Sequence, residues 1–445
     1  MLSWFSHPYP SLGVFDDMQD FEEGVDVPDR SKPASAPKPG HVLAASPAGD
    51  HVPRPRYTSR SAAGSDGGSL SSEAPFHPPM PWFGMDIGGS LVKLVYFEPE
   101  EVLPQDAEQD VELSRTIHKY LTSNKTYGDT GIRDAHLEMR RVPINGHFGT
   151  LHFIRFPSSA MEKFIFLAKT KGLSALSSTI CATGGGAFAY EKLIKQSVNL
   201  DLHKSDEIDS LVSGIHYLEL NHPEESYFFE NPLDDSKCRK VPLSIRDLYP
   251  YIVVNVGSGV SVLLVESRTK YQRVWGTSIG GATFLGLCCL LTGAKTFDEA
   301  IALAAKGDHR HVDKLVRDIY GGDYGRFQLP GDTVAASFGH MLDPERRKNA
   351  KPEDLARAVL VTVTNNIGSM AMMCAMNAKV DKVVFLGNFL RINDLSMKQL
   401  SHAMDFWSKG KFKAVFLEHE GYFGAVGCLL EYMSLAKAGT GVVDA

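Results

Sequence analysis

The feature that most constrains this chain is an internal echo. Phe83-Gly-Met-Asp86-Ile-Gly88-Gly-Ser90-Leu-Val-Lys-Leu-Val can be laid against Ile252-Val-Val-Asn255-Val-Gly257-Ser-Gly259-Val-Ser261-Val-Leu-Leu. In both copies a strand of buried character ends in Asp or Asn, a glycine-rich turn follows, and a second apolar strand begins. The copies lie about 170 residues apart, well beyond the roughly 20–50-residue period of a repeat array. They indicate a duplicated α/β unit, with halves at about 81–250 and 251–435.

The remaining elements follow from periodicity. Ile208, Leu211, Val212 and Ile215 fall on one helical face, with Ser205 as the expected N-cap and Asp206 and Glu207 in the first turn. A long helix is expected from Glu353 to about Asn377. Strand Lys382 to Leu386, a turn at Gly387-Asn388, a helix near 395–408, strand Phe412 to Leu417 and a last helix from Phe423 follow.

Residues 1–79 are rich in Pro, Ser, Gly, Ala and Asp and poor in aliphatics. Such a stretch cannot bury enough apolar surface to offset chain entropy, so it reads as a disordered tail ahead of a folded unit at 80–435. Arg54, Arg56 and Arg60 could form a regulatory patch there, a solvated linker being the plain alternative. Residues 436–445 read as a flexible C-terminus.

A formal net charge of −7 gives no electrostatic support to a nucleic-acid partner. No uninterrupted apolar run approaches the roughly 18 residues of a membrane span. The six cysteines, at 181, 238, 288, 289, 374 and 428, form no C-x-x-C pair and lie mostly in apolar stretches. That fits reduced core thiols better than disulfides or structural zinc. The first fifteen residues carry no basic residue and acids follow, unlike a secretory or mitochondrial signal, so a cytoplasmic location is expected.

Glycine turns let backbone N–H groups approach phosphate oxygens with no Cβ in the way. Neither turn fits a Walker A or dinucleotide pattern. Two in matching positions suggest a clamp on nucleotide phosphates from both sides. Asp86 is acidic where Asn255 is neutral, so one carboxylate could orient magnesium through its waters. Lys93 would neutralise phosphate charge. Two further clusters, Gly276-Thr-Ser-Ile-Gly280-Gly281 and Thr183-Gly184-Gly185-Gly186, are either nucleotide contacts or ordinary strand–helix turns. Transfer of a phosphoryl group to an alcohol needs a carboxylate beside the attacking hydroxyl. Asp206, Glu207, Asp209, Glu418 and Glu420 all qualify by type. Arg273 could fix an anionic acceptor, or be a strand arginine with no ligand.

Asp86-Ile-Gly-Gly-Ser, Asn255-Val-Gly-Ser-Gly, Gly276-Thr-Ser-Ile-Gly-Gly and Phe385-Leu-Gly-Asn-Phe-Leu-Arg resemble the phosphate and adenosine motifs of the actin-like kinases. Longer strings narrow the resemblance. Phe83-Gly-Met-Asp-Ile-Gly-Gly, Leu151-His-Phe-Ile-Arg-Phe-Pro, Cys181-Ala-Thr-Gly-Gly-Gly-Ala, Val316-Arg-Asp-Ile-Tyr-Gly-Gly-Asp-Tyr and Leu417-Glu-His-Glu-Gly-Tyr-Phe-Gly-Ala-Val-Gly are similar to the eukaryotic (type II) pantothenate kinases, over about 81–430. The resemblance implies duplicated actin-like ATPase (ribonuclease H-like) halves with a nucleotide cleft between them. It implies phosphorylation of pantothenate to 4′-phosphopantothenate by ATP with Mg2+, the first step of coenzyme A synthesis. It places the catalytic base on Glu207, and pantothenate or acyl-CoA contacts on Ser258, Ser261 and Arg273, whose forked guanidinium suits a carboxylate. It places ATP contacts on Asp86, Gly88, Gly89, Ser90, Lys93, Gly257, Ser258, Gly259 and Gly387. It further implies a homodimer inhibited by acetyl-CoA or another acyl-CoA, with Tyr320, Tyr324, Val334 and Trp407 near the interface and substrate. The chain departs from the family pattern at Ser90 (usually Thr), Ala282 (usually Gly), Asp332 (usually Trp) and Met372 (usually Arg). A non-catalytic acyl-CoA or ATP sensor, and a sugar kinase of the same fold, are the competing readings.

Overall fold

The computed structural model describes residues 82–89, 91–100, 115, 116, 118, 119, 131–170, 179–234, 236–245, 249–390 and 394–438. Ser90, residues 1–79 and residues 439–445 lie outside the described residues, so the expectations placed on them are not addressed.

The first half begins with β1 (Trp82–Ile87) and β2 (Leu91–Pro99), then β3 (Ile132–Arg133), β4 (Met139–Ile144) and β5 (His147–Pro157). Helix α1 (Met161–Thr170), β6 (Thr179–Thr183), α2 (Gly185–Val198), β7 (Asp201–Lys204) and α3 (Glu207–Asn221) follow. The strands pair in the order β3-β5-β2-β1-β6-β7, with β4 added to β5. β1, β2 and β5 are antiparallel neighbours, whereas β6 and β7 join in parallel.

β8 (Ser226–Glu230) and β9 (Arg239–Pro242) lead into β10 (Tyr251–Val256), β11 (Val260–Ser267) and β12 (Lys270–Thr277). Helices α4 (Gly281–Thr292), α5 (Phe297–Lys306) and the long α6 (Pro352–Ala378) come next. They are followed by β13 (Lys382–Leu386), α7 (Asp394–Ser408), β14 (Lys413–Leu417) and α8 (Phe423–Ala438). The second sheet runs β12-β11-β10-β13-β14-β8-β9. Its first three strands are antiparallel and the next two parallel, repeating the first sheet. Both halves therefore share the third-second-first-fourth-fifth order of a ribonuclease H-like sheet, and the duplication suggested by the echo is present in three dimensions.

Alternation of side chains along each strand sets what faces the middle of the molecule. On β1, Phe83, Met85 and Ile87 join an outer core with α1 and α2, leaving Trp82 and Asp86 on the other face. On β10, Ile252, Val254 and Val256 join the outer core with α4, α5, α6 and α7, leaving Tyr251, Val253 and Asn255 inward. The two strand-end polar residues are thus delivered to one central space by period-two geometry alone.

Several boundaries differ from expectation. β1 continues through Asp86 and Ile87, because both stay in register with β2. The N-cap of α3 is Asp206 rather than Ser205: its carboxylate accepts from the N–H groups of Ile208 and Asp209, while the Ser205 N–H is still held by the Ala182 carbonyl. The echo also slips by one residue after the turn. Asp86 pairs with Lys93 but Asn255 pairs with Ser261, since the second turn is one residue shorter. Two elements cross the 250/251 boundary: the β8–β9 hairpin pairs with β14 of the second sheet, and α8 packs on β1 and α3 of the first half.

Helix α6 is long and apolar enough, by length and composition, to cross a membrane, which reading for uninterrupted apolar runs does not detect. Half of its most apolar stretch is buried, and it packs against α4, α5 and α7 as a core helix. Residues 436–438, expected to be flexible, complete α8.

Candidate active site

A cleft of about 610 Å³ opens where the two sheets face one another. Its floor is the end of β1. Asp86 accepts from the Lys93 ammonium at 3.1 Å, and Lys93 is nearly buried. Gly88 and Gly89 line the same wall, their turn closed by Gly88 N–H to the Leu91 carbonyl and braced by the Ser158 hydroxyl on the Gly88 carbonyl. Across the cleft lie Gly257 and Ser258 of the second turn. That turn docks on the start of α4: the Gly257 carbonyl accepts from Gly281 N–H and the Ser258 carbonyl from Ala282 N–H. Gly259 closes it from behind by accepting the Gly257 N–H, and is not part of the lining.

Glycine is required at two of the lining positions. Gly184 has φ +84° and an added Cβ would lie 2.7 Å from the Ile87 carbonyl. Gly387 has φ +116° and its Cβ would lie 2.3 Å from the Val256 carbonyl. Each lets a parallel strand end pass close to the central strand of its own sheet. Ala282, where the family pattern has glycine, sits in the first turn of α4 and not among the positive-φ positions, so the methyl is accommodated.

Glu207 is the first residue of α3 and faces the cleft. Its pKa is raised above 4.5, chiefly by desolvation and then by the Asp86 charge, with Lys93 opposing. The other candidate carboxylates are separated by what they do. Asp206 caps α3. Glu418 pairs with Lys240 at 2.9 Å and is not in the cleft lining. Asp209 is likewise outside the lining. Glu420 lines the cleft, but its carboxylate accepts the Gly387 N–H at 2.7 Å. Glu207 is left as the cleft carboxylate nearest in influence to Asp86 and Lys93.

The nucleotide-side expectations Asp86, Gly88, Gly89, Lys93, Gly257, Ser258 and Gly387 are thus brought together with Glu207. Ser261 and Arg273 do not line this cleft. They extend from it along the inner face of the second sheet: Ser261 pairs with Asn255 on one side and Gly276 on the other, and the Arg273 guanidinium overlies Gly276. Tyr320 and Tyr324 stack at 4.1 Å between centroids in the segment after α5, where Val334 pairs with Leu315 and Asp332 with Arg317. Trp407 lies at the end of α7 against Phe406. None of these four lines the cleft of the single chain. Sequence reasoning missed Leu285 and Phe297, which wall the cleft beside Phe389 of the Phe385-Leu-Gly-Asn-Phe-Leu-Arg string, and the close approach of Gly424 to Asp86. No local signal marks them, since apolar residues at helical spacing read as core.

Two ribonuclease H-like sheets with glycine turns facing across a shared cleft define the class: a duplicated, actin-like nucleotide-binding fold. The chain belongs to the Fumble family, whose sequence profile matches residues 82–431. Pantothenate kinase 1 of Arabidopsis thaliana is 37% identical over 350 residues, covering 78% of this chain and 85% of its own length. Pantothenate kinase 2 of Oryza sativa subsp. japonica is 35% identical over 364 residues, and a 4′-phosphopantetheine phosphatase of Mus musculus 33% over 352, each across 78% of this chain. This chain spans about two fifths of the length of those two relatives (38% and 40%).

Proposed function

We propose that this chain is an ATP-dependent pantothenate kinase, forming 4′-phosphopantothenate. The observation that carries the proposal is the convergence of Glu207, Asp86 and Lys93 between two glycine turns in a member of the Fumble family. Backbone donors of the turns would hold the phosphates, Lys93 would offset their charge, and the apolar wall at Phe297 and Phe389 suits a flat base. Asp86 would hold Mg2+ through its waters, the ion supplying charge neutralisation on the phosphates. Glu207, whose pKa is raised by desolvation and by the Asp86 charge, would accept the proton of the pantothenate hydroxyl as it attacks the terminal phosphate. Arg273 and Ser261, in the row leading away from Asn255, would take the acceptor's carboxylate.

A homodimer, inhibition by acyl-CoA, and contacts from Tyr320, Tyr324, Val334 and Trp407 belong to the same proposal and rest on the family resemblance. The test is incubation of the purified chain with Mg-ATP and pantothenate, with Glu207→Gln alongside. Product from wild type alone supports both reaction and base. ATP bound without product from either favours a sensor, and a sugar outcompeting pantothenate favours a sugar kinase.

A further inference from the structure

A buried acid–histidine pair lies just behind the cleft, outside the groups assigned above. Glu225 is fully buried and His419 nearly so. Their side chains meet at 2.5 Å between Oε2 and Nδ1, and Oε1 accepts the His419 backbone N–H at 3.1 Å. The other ring nitrogen, Nε2, faces the Leu137 carbonyl at 2.9 Å. A carbonyl oxygen only accepts, so Nε2 carries a hydrogen. Nδ1 faces a carboxylate whose pKa burial alone would raise, but which hydrogen bonds from His222 and His419 hold below its usual value. The Glu225 carboxyl group is thus tied to both the ring and the backbone N–H of His419, and the ring in turn to Leu137.

The pair clamps the loop between β14 and α8. Glu225 immediately precedes β8 of the second sheet, whereas Leu137 belongs to the first half, so His419 is held from both sides. Three residues on, the Tyr422 hydroxyl donates to Asp134 at 2.5 Å, and Phe153 packs against the rings of both His419 and Tyr422. Between these anchors stands Glu420, whose carboxylate enters the cleft and holds the Gly387 N–H. A buried polar pair is weak evidence for stability, because its desolvation cost rivals its attraction. What it supplies is fixed geometry.

We propose that Glu225 and His419 are positioning residues that set Glu420, and through it the Gly387 turn, for nucleotide binding. The inference rests on the ATP-dependent reading above. His222 also brings Nδ1 to within 3.4 Å of Glu225, so three groups stand at metal-ligand spacing. Both carboxylate oxygens and both His419 nitrogens are already engaged in hydrogen bonds, which favours the clamp over a metal centre.

The test compares wild type with His419→Gln, Glu225→Gln and the double variant, which replaces both side chains by neutral amides together. Thermal melting reports folding, calorimetry with a non-hydrolysable ATP analogue reports nucleotide affinity, and initial rates report KM for each substrate. The expected result is a roughly tenfold weaker nucleotide Kd and higher KM for ATP, with KM for pantothenate within about twofold. The double variant should be no worse than the worse single, since the two act as one unit. Folded variants with wild-type nucleotide affinity overturn the proposal. So does failure of all three to fold, which makes the pair purely structural, or one equivalent of zinc in the purified protein. A wild type that binds nucleotide but makes no product defeats the pantothenate reading and leaves the calorimetric arm to decide this one.

Discussion

Glu207 is placed under opposing influences. As the first residue of α3 it sits where the helix dipole favours an anion, yet desolvation and the neighbouring Asp86 raise its pKa. A carboxylate whose pKa is raised is a better proton acceptor wherever it is ionised. Replacement by Gln should lower kcat by about 10²–10⁴-fold and leave nucleotide affinity nearly unchanged. In wild type, kcat/KM for pantothenate should fall as pH drops, with an inflection above 4.5, because the base must be deprotonated. The stability effect has the opposite sense. A raised folded pKa favours the protonated form, so the cost to stability sets in as pH rises past the ordinary carboxylate pKa and is complete above the folded one. Glu207→Gln should therefore melt above wild type at pH 7, and the gap should close at and below about pH 4. Residue type alone left five acids open as the base; hydrogen-bond commitments made at long range, such as Glu420 to Gly387, separate them.

Helices α3 and α8 cross so closely that glycine is needed on both. A Cβ at Gly214 would lie 2.0 Å from the Phe423 carbonyl, and one at Gly427 would lie 2.0 Å from the Ser210 carbonyl. The contact matters beyond packing, because α3 starts at Glu207 and the start of α8 lines the cleft through Phe423 and Gly424. Gly427→Ala should cost roughly 1–3 kcal/mol by denaturant titration and should also lower turnover, since relieving the overlap moves Glu207 relative to Asp86. A variant of unchanged stability and turnover would show that the crossing yields without cost. At this scale much was legible in the chain. Helix α6, strand β13 and the start of α8 fall where the hydrophobic pattern puts them. The transfer of β8 and β9 to the second sheet was not legible. Such short strands fit either sheet locally, and the pairing of Phe416 with Tyr227 and Leu417 with Ser226 commits them.

The whole molecule uses the two halves as opposing jaws, and a nucleotide held by both glycine turns should stabilise the fold as a unit. At a hundredfold excess over Kd, linkage adds about 2.7 kcal/mol, visible as a rise in Tm with Mg-ATP analogue. Gly184→Ala in the first half and Gly387→Ala in the second each force a methyl against a strand carbonyl at the cleft. Either substitution alone should abolish most of that ligand-induced shift; retention of the full shift in one of them would mean that jaw does not contact the nucleotide. By itself the sequence determined the duplication, the order of most elements, and the delivery of Asp86 and Asn255 to one face, because these follow from backbone periodicity and the freedom of glycine. The tertiary structure alone decided which acid faces the cleft, which apolar side chains wall it, and how Glu225 and His419 brace it. Those depend on contacts between residues up to a few hundred positions apart, which local pattern does not encode.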